Sequence, residues 1–139
     1  MNSTITRASK WFVAVIICGT TIALYSFVSM PEDWNVPAEY QNMANPVAYD
    51  GESIDIGKTI YDKHCKSCHG KYGEGDGSKA AELDTDCGDF TLEEFQSQSD
   101  GSLFYKVLIG RDEMPGFEKK IPEQEDIWHV VNYMRELGE

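Results

Sequence analysis

The sequence predicts an all-α domain behind an N-terminal membrane-spanning helix. Three observations carry that expectation. Apolar residues in the second half of the chain recur at three and four positions and nowhere alternate with period two. Residues that start and stop helices bracket those runs. Residues 11–29 hold no charged side chain.

Charge and composition narrow the function classes. The 139 residues allow one small domain, with 24 Asp+Glu against 12 Lys+Arg and a formal net charge of −12. Every acid lies after Val28, so residues 30–139 carry 10 basic and 24 acidic side chains, a net −14. Such a surface repels phosphates, which argues against a nucleic-acid partner. At 41% hydrophobic and 12% aromatic, the chain is too apolar for a disordered acidic tail, so a packed core is expected.

The N-terminal segment WFVAVIICGTTIALYSFVS, residues 11–29, would rise roughly 28 Å as a helix, enough to cross a hydrocarbon core. Arg7 and Lys10 precede it and Glu32 and Asp33 follow, so residues 1–10 are expected in the cytoplasm and residues 30–139 outside. Two alternatives stand beside an uncleaved anchor: a signal peptide cut after Ala23, with Thr21 and Ala23 as its small residues, or lipidation of Cys18. Apolar residues run on through Leu24, Tyr25, Phe27 and Val28, and bulky Ile17 precedes Cys18, which favours the anchor. Residues 30–50, with prolines at 31, 37 and 46, read as an extended tether. Its Trp34, Tyr40, Met43 and Tyr49 would be costly to leave in water. They either pack on the chain's own domain or dock on another subunit.

Residues 51–139 form the expected domain, with four helical stretches. After the Asp50-Gly51-Glu52-Ser53 turn, Ile56, Ile60 and Tyr61 suggest a helix running into His64-Cys65. Thr91-Leu92-Glu93-Glu94 reads as a capping box that starts a short helix. Asp100 precedes Leu103, Phe104, Val107 and Leu108, a one-sided apolar set ended by Gly110. Pro122 suits the first position of a last helix, whose stripe is Ile127, Val130, Val131, Met134 and Leu137 and whose end carries Arg135 and Gly138. The glycine-rich stretch from Gly70 to Gly88 lacks the Lys-Ser/Thr of a phosphate loop.

The chemistry is concentrated in Cys65-Lys66-Ser67-Cys68-His69. Two thiols three residues apart at a helix end can reach both vinyl groups of one haem edge, and a histidine directly after them can turn its imidazole onto the iron. C-x-x-C-H is the attachment signature of one covalent haem c. A zinc site would need a second ligand pair, but Cys87, His64 and His129 are scattered. A dithiol redox motif would need a βαβ setting that the pattern denies. The sixth iron ligand then decides between electron transfer and an open, reactive iron. Met30 and Met43 lie in the tether and Met134 on a core stripe. Met114 lies in the loop Gly110–Phe117, where Pro115 and Gly116 fix a turn that can present a thioether inward; filling a gap is its other reading. His64 and His129 read as solvated surface, and Cys87 as either a free, partly buried thiol or a thiol near the haem.

With CKSCH, the glycine-rich loop, Met114-Pro115 and the closing VVNYMREL, residues 53–138 resemble a class I cytochrome c. That resemblance implies about four helices around one covalently attached haem, His69 and Met114 as axial ligands, and a first helix crossing the last near Gly57, Tyr61, Val130 and Tyr133. In many relatives a loop proline gives its carbonyl to the ligating histidine; Ser78 stands where it would lie, and its carbonyl can serve. The anchor, the tether and GDGSKAAEL…CGDFTLEEFQSQSDGSLFYKV…GRDEMPGFEKKIP are also similar to the monohaem cytochrome subunit of bacterial alternative complex III. The implied role is electron transfer, not enzymatic catalysis: a respiratory-chain domain on the periplasmic side of the bacterial inner membrane, passing electrons from a quinol-oxidising complex toward a terminal oxidase or another cytochrome. The other class is a haem enzyme or sensor with an open iron, peroxidase-like or gas-binding.

Overall fold

The computed structural model describes residues 34–139. The expected anchor at residues 11–29, with Arg7, Lys10 and Cys18 around it, lies outside the described residues. Among the described residues no helix is long and apolar enough to cross a membrane.

Six helices follow one another: α1 (Ala38–Gln41), α2 (Gly51–His64), α3 (Lys66–His69), α4 (Glu93–Gln96), α5 (Asp100–Ile109) and α6 (Gln124–Glu136), with a 3-10 turn at Ala80–Glu82 between α3 and α4. The described residues form no strand, only an isolated bridge between Arg111 and Met114. Helix α2 starts where the Asp50 carboxylate accepts from the Ser53 amide, and Lys63 and His64 sit in its last turn, where cations suit the dipole. Ser99 caps α5 through the Ser102 amide, and Gly110, at φ 71°, ends it.

Helices α2 and α6 form the main packing contact. A Cβ on Gly57 would lie 2.0 Å from the His129 carbonyl oxygen and 2.9 Å from the Tyr133 Cβ, so only glycine permits this approach. Tyr61 and Tyr133 meet edge to face at 5.1 Å, and Val130 is fully buried beside them. Helix α5 closes the core with Leu103, Phe104, Val107 and Leu108, and Phe104 stacks on Trp128 at 4.2 Å. Arg135 ties three segments together: its guanidinium donates to the Asp100 carboxylate and to the Gln96 and Gln98 carbonyls.

Several local expectations are corrected. The stretch 34–50 is not extended throughout but contains a helical turn, α1; of the two expectations for its large apolar residues, packing on the chain's own domain is the one seen at Tyr40, while Tyr49 stays exposed. Val36 is buried, Tyr40 lies against Phe104 and Tyr105, and the α1 carbonyl of Tyr40 fills the space over Gly101. The Trp34 ring lies under Lys106 and Arg111. The Thr91 capping box does not form, because the Thr91 amide and hydroxyl both donate to the Asp89 carboxylate; α4 starts after Leu92 with no side-chain cap. Helix α6 begins at Gln124, two residues past Pro122: Ile121 first turns into the core, and the chain leaves extended through Glu123. Nor are His64 and His129 simply solvated. His64 packs edge-on against Phe117, and His129 Nδ1 pairs with the Ser53 hydroxyl at 2.8 Å. Buried Asn132 extends that network, accepting from Asn45 and donating to Ser53 and to the Ala48 carbonyl.

Candidate functional site

Three of the four expected site residues lie on one turn. Helix α2 ends at His64, Cys65 links it to α3, and α3 carries Cys68 and His69. The amides of Cys68 and His69 both bond to the Cys65 carbonyl, which keeps the turn tight. The buried Tyr61 hydroxyl donates to the Gly70 carbonyl, and the Gly75 amide donates to the His69 carbonyl. The glycine-rich loop then folds back against the turn: Gly77 donates to Cys68 and Lys79 to Ser67. A Cβ on Gly77 would overlap the Ser67 and Cys68 carbonyls at 2.5 Å, so glycine is needed there.

The His69 imidazole is oriented by backbone. Its Nδ1 lies 2.8 Å from the Cys87 carbonyl, an acceptor, so Nδ1 carries the proton and Nε2 presents its lone pair. Burial pushes the His69 pKa down, partly offset by the Cys87 bond, which favours the neutral ring a metal requires. Phe90 lies against the ring at 4.6 Å and is itself stacked on Phe95 at 4.3 Å, which limits rotation of the imidazole. The expectation of a Ser78 carbonyl is therefore corrected to Cys87. The stretch around Ser78 is occupied in bonding the attachment turn through the Gly77 and Lys79 amides, and the chain reaches the His69 imidazole only nine residues after Ser78. Sequence reasoning missed this contact because a backbone acceptor leaves no side-chain signature. Cys87 itself is a free thiol, half-buried.

Met114 lies in a reciprocal turn: the Arg111 amide donates to the Met114 carbonyl and the Met114 amide to the Arg111 carbonyl, both at 2.9 Å. Asp112 adopts φ 52° within it, a conformation Asp tolerates better than most side chains. Met114 and Cys65 both pack on the apolar core at their partly buried side chains. The Met114 turn also touches the segment that supports His69, since Glu113 accepts from the Thr85 amide at 2.8 Å.

These residues fit a haem c and fit the competing chemistries poorly. Burial, with the neighbouring Cys68, pushes the Cys65 thiol up to about 12, whereas a dithiol redox motif relies on a thiolate. Among the described residues no three His, Cys, Asp or Glu side chains converge as a metal-binding group, so a zinc cage has no donor set. Two thiols beside a single oriented imidazole, with no hydrogen bond to Nε2 among the described residues, suit a metal carried by a macrocycle.

A helical domain that places C-x-x-C-H on the turn after its first long helix, packed against its last, defines a c-type cytochrome domain. Residues 52–134 match the family described as cytochrome c oxidase, cbb3-type, subunit III, and the chain belongs to that family. The family implies haem c with its iron and an electron-carrying role. Comparison with curated proteins finds no match. Among solved structures, the chain is similar to one in the reducing HAO-like protein complex of Kuenenia stuttgartiensis, with 28% identity and a TM-score of 0.62. The match covers 68% of this chain and 47% of that one, so the chain spans about half the length of its structural neighbour.

Proposed function

We propose that this protein is a membrane-anchored electron carrier with one haem c, working between a quinol-oxidising complex and a terminal oxidase or another cytochrome. The observation that carries the reading is the His69 imidazole on the C-x-x-C-H turn, with Nδ1 fixed by the Cys87 carbonyl and Nε2 left for iron. When bound, the haem supplies a one-electron ferrous/ferric couple. The chain supplies the rest. Cys65 and Cys68 would anchor the group through thioether bonds, and His69 and Met114 would be the residues that hold its iron. A thioether is soft and stabilises the ferrous state, which suits a carrier late in a respiratory chain. A filled sixth position leaves no site for a substrate, and this separates a carrier from an enzyme.

Membership in a family described by an oxidase subunit, and likeness to a chain from a multi-protein complex, support a redox partner among membrane complexes. We read the donor as a complex like alternative complex III, the anchor as residues 11–29, and the domain as lying on the periplasmic side of a bacterial inner membrane. Purification from native membranes tests this directly. The haem should remain on the chain after denaturation, be lost from Cys65→Ser/Cys68→Ser, and travel with quinol-oxidising subunits. Haem that acid-acetone extracts from the wild-type chain would contradict the attachment.

A further inference from the structure

The two candidate iron ligands sit on separate segments, His69 on α3 and Met114 in a turn, yet one carboxylate bridges their supports. Glu113 directly precedes Met114, and its Oε2 accepts from the Thr85 amide at 2.8 Å. Thr85 lies two residues before Cys87, whose carbonyl orients His69. Each end of this bridge is stiff. On one side the reciprocal Arg111–Met114 hydrogen bonds and the left-handed Asp112 set the direction of Glu113. On the other, the Gly88 amide donates to the Asp86 carboxylate and the Phe90 amide to the Gly73 carbonyl, which fixes the segment on either side of Cys87.

We propose that Glu113 is a positioning residue: a latch that joins the Met114 turn to the His69-supporting segment and keeps the Met114 thioether over the cofactor. The proposal rests on the reading of Met114 as the distal ligand. The latch is not explained by charge balance, because Glu113 has acidic neighbours in sequence at Asp112 and, across the bridge, Asp84 and Asp86. The hydrogen bond from the Thr85 amide, rather than an ion pair, is what favours the contact. A latch of this kind acts on the opening of a loop rather than on global stability, because Glu113 is exposed and contributes nothing to the core.

The test uses the full-length holoprotein in detergent, comparing Glu113→Ala, Glu113→Gln and a surface control, Glu94→Ala. Carbon monoxide uptake by the reduced protein reports opening of the distal position. Amide hydrogen exchange at Thr85, Arg111 and Met114 reports the loops independently of the haem. Glu113→Ala should speed carbon monoxide uptake about tenfold, the size expected for one lost charge-assisted hydrogen bond near a surface. It should also raise exchange at all three amides. Glu113→Gln keeps an oxygen acceptor and should stay within about twofold of the wild type, and Glu94→Ala should match the wild type. Wild-type behaviour of Glu113→Ala, or equal effects of Ala and Gln, would overturn the latch alone. If the wild-type protein itself takes up carbon monoxide freely, the distal ligand and the latch both fall.

Discussion

Met134 and Cys87 show how one side chain type takes its meaning from its setting. Met134 is 4% exposed on the inner face of α6, among Ile127, Val130 and Val131. Met134→Ala should cost about 2–5 kcal/mol in denaturant unfolding while the haem absorption spectrum stays unchanged. A changed spectrum would make Met134, rather than Met114, the ligand. Cys87 acts through its carbonyl, so Cys87→Ala should leave the midpoint potential where it is. Gly88→Ala should shift it, because φ 70° at Gly88 strains an L side chain by about 1 kcal/mol and moves the adjoining Cys87 carbonyl. Potentiometric titration of the two variants checks the pair, and a shift in Cys87→Ala would give the thiol a role. At this scale side-chain chemistry and spacing single out Cys65, Cys68 and His69, which the structure places on one turn, and Met114, which it places on a separate turn. The sequence named the wrong carbonyl, since Ser78 and Cys87 offer identical backbone oxygens and only the path of the loop chooses between them.

Elements were legible where periodicity is long. Helices α2, α5 and α6 lie where their apolar spacing places them and a short α4 does follow Thr91, while α1, a single turn of four residues, depends on contacts that no local pattern records. Thr91 illustrates the failure: the same hydroxyl could cap α4 or close onto Asp89, and the nearer partner wins. His129 illustrates another. Counting around α6 puts it off the apolar stripe, but α2 approaches so closely at Gly57 that Ser53 reaches the ring. Gly57→Ala should therefore destabilise the domain by about 3 kcal/mol, because the clash is with backbone that cannot rotate away. Thermal unfolding of the holoprotein measures this, and an unchanged melting temperature would mean that the α2–α6 crossing is looser than described.

For the whole molecule, net charge and the cofactor decide how it meets other proteins. Lys58, Lys63 and Lys66 cluster at the attachment turn; Asp62 pairs with both Lys58 and Lys66, but Lys63 and Lys120 lie close enough to His64 to lower its pKa, after burial as the larger cause. An acidic body with a less acidic region beside Cys65 should give electron transfer to a separate partner that slows as ionic strength rises from 10 to 200 mM, roughly the range over which screening sets in. A flat salt profile would point instead to a permanent subunit. The central proposal is that Met114 would hold the iron together with His69, and it is tested most directly by adding carbon monoxide to the reduced, intact protein at neutral pH. The account predicts only slow uptake in the wild type, limited by opening of the Met114 turn, and prompt uptake of one carbon monoxide per haem in Met114→Ala with the haem still covalently attached; prompt stoichiometric uptake by the wild type, or none by Met114→Ala, would contradict it.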